Sequence, residues 1–247
     1  MLNEMKAHTS NVASASFSPD AKKILTSSYD SVAFVWNVST GKLLFTLKGY
    51  ESSTIYSAFS PDGKRMLTMP FSDTVKIWDS ETGFLVRSLA DEEGIGFESA
   101  CFSPDGKRVA TSLEIITDEG RYSIFKIWDV ESGKLITTST EANNGISDLQ
   151  FSPDGTKVIT ATYNPTGQIW DAITGKPLME LKGHTGYLHT AEYSPDGKTI
   201  ITASQDGTCK VWDAISGALK YTFFALDTSD YLVVDAGYPV LDRKSVV

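Results

Sequence analysis

The sequence predicts an all-β repeat protein. Three observations carry that reading: one tetrapeptide recurring at a nearly constant interval, one tryptophan in each interval, and short β-branched and aromatic runs divided by turn residues. The tetrapeptide is Phe-Ser-Pro-Asp at Phe17, Phe59, Phe102 and Phe151, with Tyr193 opening a fifth copy, so the intervals are 42, 43, 49 and 42 residues. Trp36, Trp78, Trp128, Trp170 and Trp212 fall once per copy.

Each copy divides into four strands, a to d. In the fifth copy the breaks are Pro-Asp-Gly from Pro195, Gln-Asp-Gly from Gln205 and Ser-Gly from Ser216. Pro19, Pro61, Pro104, Pro153 and Pro195 preset the first central residue of the a–b turn, the next Asp supplies a local side-chain bond, and Gly follows in four of the five copies. These aspartates read as turn formers. A metal would need neighbouring ligands, and successive copies lie at least 42 residues apart. A four-stranded sheet of this size cannot bury both faces alone, so neighbouring units must stack, and radial closure into a β-propeller is the expected solution.

A chain of 247 residues is long enough to bury a full core without disulfide or metal staples. With 41% hydrophobic and 21% charged residues it has none of the polar, aromatic-poor character of a disordered chain. The net charge of −9, with no run of Lys or Arg, repels a phosphate backbone and argues against nucleic acid as a partner. The longest apolar runs fall far short of the ~20 residues that span a bilayer, and no leader opens the chain, so no membrane role and a cytoplasmic location are expected. Cys101 and Cys209 lie 108 residues apart and read as buried free thiols.

Gly183-His184, Thr202-Ala-Ser-Gln-Asp-Gly207 and the Lys-Ile-Trp-Asp and Lys-Val-Trp-Asp runs resemble the WD-repeat β-propellers, over residues 8 to about 224. The resemblance implies repeats at about 8–49, 50–91, 92–140, 141–183 and 184–224, forming one domain over 1–247. It also implies a hydrogen-bonded set in each blade: a His before strand a, a Ser or Thr in strand b, an Asp in the b–c turn and a Trp in strand c. Two copies keep the whole set, as His8, Thr26, Asp30, Trp36 and as His184, Thr202, Asp206, Trp212, both with spacings of 18, 22 and 28 residues from the histidine. His, Thr and Asp together otherwise suggest hydrolase chemistry, but here the buried indole and imidazole donors account for them. In the middle copies the His position holds Tyr50, Glu93 and Ala142, and the Asp position holds Ser72, Tyr122 and Asn164.

Propellers of this family are usually interaction platforms, using the face that carries the d–a loops and b–c turns. Two kinds of position carry over. The residue before the b–c turn Asp gives Tyr29, Phe71, Tyr163 and Gln205; the residues three and five after the His give Asn11, Ala13, Ser53, Ile55, Gly96, Glu98, Gly145, Ser147, Tyr187 and His189. Tyr29, Phe71, Tyr163 and Tyr187 are expected to ring one mouth, with Asn11, Glu98, His189 and Gln205 beside them. His189 is the histidine left without a structural task. Aromatic, amphipathic side chains suit a peptide or protein partner. The third copy spans 17 residues from Thr111 to Trp128 where the others span 10, so its b–c hairpin should push the acidic Asp118-Glu119-Gly120 outward.

No phosphate loop, nucleophile elbow or zinc-protease motif appears, so neither catalysis, a cofactor nor a metal is expected. The alternative to a non-catalytic scaffold is a small-ligand or glycan-binding propeller; a glycosidase would need a pair of facing carboxylates, and Glu98 is the one acid in the set. The ends supply the last expectation. Leu226 aligns with the His position and Asp230-Tyr-Leu-Val-Val-Asp235 with strand a, so residues 225–247 begin a sixth unit without a Trp-bearing strand c. That segment resembles the end of WD-repeat arrays in large bacterial proteins that also carry caspase-like domains, which would make this chain a fragment of a larger protein. Met1 to His8 matches Pro177 to His184 position by position and reads as a strand d. The expected architecture is therefore five four-stranded blades plus an incomplete sixth shared between residues 1–7 and 225–247, closing as a ring, remaining an open fragment, or self-associating through the incomplete blade.

Overall fold

The computed structural model describes residues 6–50, 52–71, 74–90, 96–118, 120–140, 145–225, 231–235 and 242–243. The described residues form no helix, and their strands make antiparallel sheets in chain order. The first sheet holds β1 (Val12–Phe17), β2 (Lys23–Ser28), β3 (Ala33–Asn37) and β4 (Leu43–Leu47). The second holds β5 (Thr54–Phe59), β6 (Arg65–Pro70), β7 (Thr74–Asp79) and β8 (Leu85–Ala90), and the third β9 (Phe97–Phe102), β10 (Arg108–Thr117), β11 (Gly120–Asp129) and β12 (Leu135–Thr138). The fourth holds β13 (Ile146–Phe151), β14 (Lys157–Thr162), β15 (Thr166–Asp171) and β16 (Pro177–Lys182). The fifth begins with β17 (Leu188–Tyr193), β18 (Thr199–Ser204), β19 (Thr208–Asp213) and β20 (Leu219–Ala225).

The chain forms two compact units, Met1–Gly120 with Phe125–Ile136, and Arg121–Ile124 with Thr137–Val247. Each has the same packing rule. In the first, Leu25, Val35 and Leu47 of the first sheet face Phe59, Met66 and Trp78 of the second. In the second, Ile159, Ile169 and Leu181 of the fourth sheet face Tyr193, Ile200 and Trp212 of the fifth. Each such aliphatic residue contributes about 1.5–3 kcal/mol on burial. Two faces with the same residue pattern are uncovered: Phe17 is 62% and Val12 54% exposed, where Phe59 and Phe151 are 9% and 4%. In the fifth sheet Ile201 is 45% exposed, whereas Leu25, Leu67 and Ile159 at its register are fully buried.

The turns follow the sequence closely. Asp20, Asp62, Asp105, Asp154 and Asp196 each accept from the Ser two residues before, at 2.5–2.7 Å, and from the backbone N–H two residues after. Among the described residues no group of three or more His, Cys, Asp or Glu is placed to hold a metal.

Two features differ from expectation or extend it. The seven extra residues of the third repeat lengthen β10 and β11 to ten residues each, against five or six in the matching strands. Residues Tyr231–Asp235 form a strand, β21, but it does not open a sixth sheet. It pairs with β20, Phe224 opposite Leu232, and β22 (Asp242–Arg243) adds outside it. The physical reason is that the outer edge of β20 presents unpaired N–H and C=O groups, and the strand that comes next in the chain satisfies them. The expected N-terminal strand d, Met1 to Met5, lies outside the described residues.

Ala21 occupies the turn position held by Gly63, Gly106, Gly155 and Gly197, and like them adopts positive φ, at 56°. A left-handed non-glycine costs about 1–2 kcal/mol, partly offset by the greater unfolded-state freedom of glycine. Ala21→Gly should therefore stabilise the chain by about 0.5–1 kcal/mol, a rise of roughly 1–4 °C in a thermal melt. A variant no more stable than its parent would show that this turn carries no strain.

Candidate functional site

The geometry at the b–c end of each sheet starts from one bond. The Trp Nε1–H of strand c donates to the Thr Oγ1 of strand b in all five repeats: Trp36 to Thr26, Trp78 to Thr68, Trp128 to Thr111, Trp170 to Thr160 and Trp212 to Thr202, at 2.8–2.9 Å. In the fifth sheet His184 Nε2 lies 2.8 Å from Thr202 Oγ1 and Nδ1 lies 2.8 Å from Asp206 Oδ2. Asp206 accepts from Nδ1–H, leaving Nε2 to accept from the Thr202 hydroxyl, which itself accepts from the indole. Every donor then has an acceptor with a neutral imidazole. In the first sheet His8, Thr26, Asp30 and Trp36 repeat the arrangement, at 2.8 Å to Thr26 and 3.0 Å to Asp30. The second sheet solves the same problem with a phenol: Tyr50 Oη bonds Thr68 Oγ1 at 2.7 Å, and Lys76 sits over the Tyr50 ring while bonding the Gly49 carbonyl.

Burial pushes the His184 imidazole below its ordinary pKa, against the attraction of Asp206. Burial pushes Asp206 upward, but hydrogen bonds from Thr208, the Thr185 N–H and His184 outweigh it and hold the carboxyl well below the usual range. Thr202 is fully buried, so its hydroxyl serves the network and is not presented to a substrate.

This network anchors the b–c turns, and the two kinds of site position meet there. The N–H groups of Tyr29, Phe71, Tyr163 and Gln205 donate to the carbonyls of Asn11, Ser53, Gly145 and Tyr187, at 2.9–3.1 Å. The second kind of position has a common cause. Each strand a carries a β-bulge, and the residue without a register partner is Ala13, Ile55, Glu98, Ser147 or His189. A bulge re-aims its side chain away from the ladder, which singles out these positions on the inner strand.

In the second unit Tyr163, Tyr187 and His189 form a continuous aromatic run. The Tyr163 and Tyr187 rings are 6.0 Å apart edge to face, and Tyr187 and His189 are 5.2 Å apart at 79°. Tyr163 is 53% exposed, and His189 and Gln205 are also exposed. In the first unit Tyr29 and Phe71 are exposed and linked through Ser53, whose hydroxyl donates to the Tyr29 carbonyl at 3.1 Å while its own carbonyl accepts from Phe71 N–H. Asn11 is exposed beside Tyr29.

Glu98 is half-buried on its bulge, and its Oε2 has no hydrogen-bond partner. Burial first, and then the neighbouring Glu114, raise its carboxyl above the ordinary range. Glu114 was not among the expected site residues: three residues after Thr111 it stands where Tyr29, Phe71, Tyr163 and Gln205 stand after their threonines, but that position was counted from the b–c turn Asp, which the insertion displaces in this repeat. Gly120 and Asp118 at the tip of that hairpin are exposed; Glu119 lies outside the described residues.

The family model described as WD domain, G-beta repeat matches residues 1–37, 41–79, 133–171 and 175–213, together more than half of the chain. The last three segments each run from strand d of one sheet through strand c of the next. Residues 80–132 are not matched; they hold the lengthened hairpin and yet keep the Trp128 to Thr111 bond. No curated protein matches the chain.

Asp206→Ala removes the acceptor of His184 Nδ1–H and of two backbone N–H groups, which should lower stability by about 1–3 kcal/mol at neutral pH while leaving the fold intact. Because the folded carboxyl is held below its unfolded value, this contribution is present above the unfolded pKa and is lost as pH falls through the folded one. Paired thermal melts should show the gap between parent and variant narrowing below about pH 4. A gap that holds constant into acid, or a variant unfolded at room temperature, contradicts this role.

Proposed function

Because the chain belongs to the WD-repeat family, whose repeats generally mediate protein–protein interaction, we propose that it is a non-catalytic scaffold of propeller blades. It binds a protein or peptide at the sheet ends that carry the b–c turns and d–a loops. The observation that carries this reading is the run Tyr163, Tyr187 and His189: a half-buried tyrosine in ring contact with an exposed tyrosine on one side and an exposed bulge histidine on the other. Rigid aromatic groups of this kind favour hot spots because they bury large area at small entropic cost. Tyr29 and Phe71 offer a second aromatic patch in the other unit. The acidic tip of the β10–β11 hairpin supplies a contact for a partner's basic edge. Cys101 and Cys209, both half-buried and in no disulfide, support a cytoplasmic location.

The uncovered sheet faces at Phe17 and Ile201 support self-association, since each is half of a contact that the chain elsewhere buries completely. A second copy supplies the missing half, in a head-to-tail stack of blades.

Two outcomes test these readings. Tyr163→Ala with Tyr187→Ala should leave the melting temperature nearly unchanged yet reduce capture of peptides from a displayed random library by about tenfold or more. Undiminished capture removes the proposed site, and glycan-array binding lost in the same variant would favour the small-ligand reading instead. Sedimentation equilibrium should give a mass that rises with concentration, and Phe17→Glu should suppress the rise; a clean monomer at all concentrations ends the stacking model.

A further inference from the structure

The opposite end of the sheets, bearing the a–b and c–d turns, carries a second pattern. The first residue of strand b is basic in four repeats, at Lys23, Arg65, Arg108 and Lys157, and the third residue after the Trp is Glu81, Glu131, Ile173 or Ile215 in the second to fifth repeats. Within the first unit Lys23 and Arg65 each reach the acid of the following sheet. Lys23 Nζ donates to Glu81 Oε1 at 2.7 Å and to the Ser80 carbonyl at 2.8 Å, and Arg65 Nη2 lies 3.6 Å from Glu131 Oε2. The crevice that holds Lys23 and Glu81 has a volume of about 420 Å³.

The matching crevice between the fourth and fifth sheets, about 360 Å³, keeps the base and lacks the acid. Lys157 occupies the position of Lys23, is half-buried, and has no hydrogen-bond or ion-pair partner for its ammonium among the described residues; Asp154 attracts it only at longer range. Ile215 stands where Glu81 does and is 80% exposed at the lip. Tyr193, where the other repeats have Phe, forms the crevice wall, and its hydroxyl is buried without a partner. Burial and then Asp154 hold that phenol protonated, so it is a donor without an acceptor.

We propose that this crevice binds a carboxylate borne on an acidic side chain of a partner peptide, which takes the place that Glu81 fills in the first unit. Lys157 supplies the charge, Tyr193 is the second donor left unpaired there, and the exposed Ile215 with Pro153 forms an apolar lip for the residue next to the acid. Two ionised aspartates line the same crevice, and their repulsion keeps its affinity for an acid low. Asp154 and Asp196 are engaged by Ser152, Thr156, Ser194 and the Lys198 N–H. Their counterparts Asp20 and Asp62 line the first crevice, where a glutamate binds lysine nonetheless. The site lies at the end of the sheets away from Tyr163 and Tyr187 and stands or falls separately from them.

The test uses the blocked tripeptide acetyl-Ile-Glu-Ile-amide, its Gln counterpart and glutarate, titrated by NMR into the whole chain up to about 10 mM, the range of a single charged contact. The Glu peptide should bind, with the Gln peptide and the Lys157→Met variant each weaker by about tenfold or more. Ile215→Glu, which restores the carboxylate found at Glu81, should abolish peptide binding without lowering the melting temperature. Glutarate binding as tightly as the Glu peptide would keep the carboxylate site and assign it to a free small acid. Equal binding of the Glu and Gln peptides, undiminished binding to Ile215→Glu, or no binding at all overturns the proposal.

Discussion

The bond from the strand c indole to the strand b threonine is the constraint on which the rest of the structure depends. A tryptophan buried between two sheets contributes much apolar area, but its N–H must be satisfied there, because an orphaned buried donor costs about 1–3 kcal/mol. Thr68, Thr111, Thr160 and Thr202 are fully buried, and each accepts from its indole. Fixing this pair fixes the register of strands b and c, and with it the turn between them. What lies on the far side of the threonine varies: an imidazole held by Asp206 at Thr202, a phenol, Tyr50, at Thr68. The family pattern is thus a layered one, in which the Trp–Thr pair is needed and the His–Asp pair reinforces it.

Stacking explains why such variation is tolerated. Within each unit a sheet meets the next through a short list of apolar positions, so stability there accumulates from local contacts. The third repeat makes the point, since seven added residues are absorbed by lengthening one hairpin while the Trp128 bond at its base is kept. Growth away from the core costs little, because the extra strand residues pair with one another. The same logic leaves side chains at the sheet ends released from packing by turns and by the bulge of strand a.

How much of this was legible follows from the range over which each signal acts. The strands, their order and the a–b turns could be read, because proline, aspartate and the alternation of β-branched residues act within a few positions. The aspartates of those turns bond just as their spacing implied. The bulges could not be read, since a bulge is a property of two strands in register, and nothing in the run around His189 announces that the residue is unpaired. Strand β21 was visible as a strand, but its sheet was misassigned: alignment to the repeat placed it as a strand a, whereas pairing was decided by the open edge of β20 just before it in the chain. Glu114 escaped notice because the insertion moves the b–c turn away from it: counted from Thr111 it matches Tyr29, Phe71, Tyr163 and Gln205, but counted from the turn it does not.

Repetition offers a route to sites that single-residue reasoning lacks. A lysine on a strand edge is uninformative by itself, and so is an exposed isoleucine in a turn. Their meaning comes from the other repeats, where the same two positions hold an ion pair that bridges adjacent sheets at Lys23 and Glu81 and, less closely, at Arg65 and Glu131. Partly buried bases in proteins are ordinarily paired, because desolvation must be offset by an acceptor. Where one repeat keeps the base and replaces the acid by an apolar residue, the scaffold has the geometry of a bond with only half of its chemistry. The intact copies therefore specify both the charge and the position of what would complete it, so a departure from the repeat carries as much information as the repeat does.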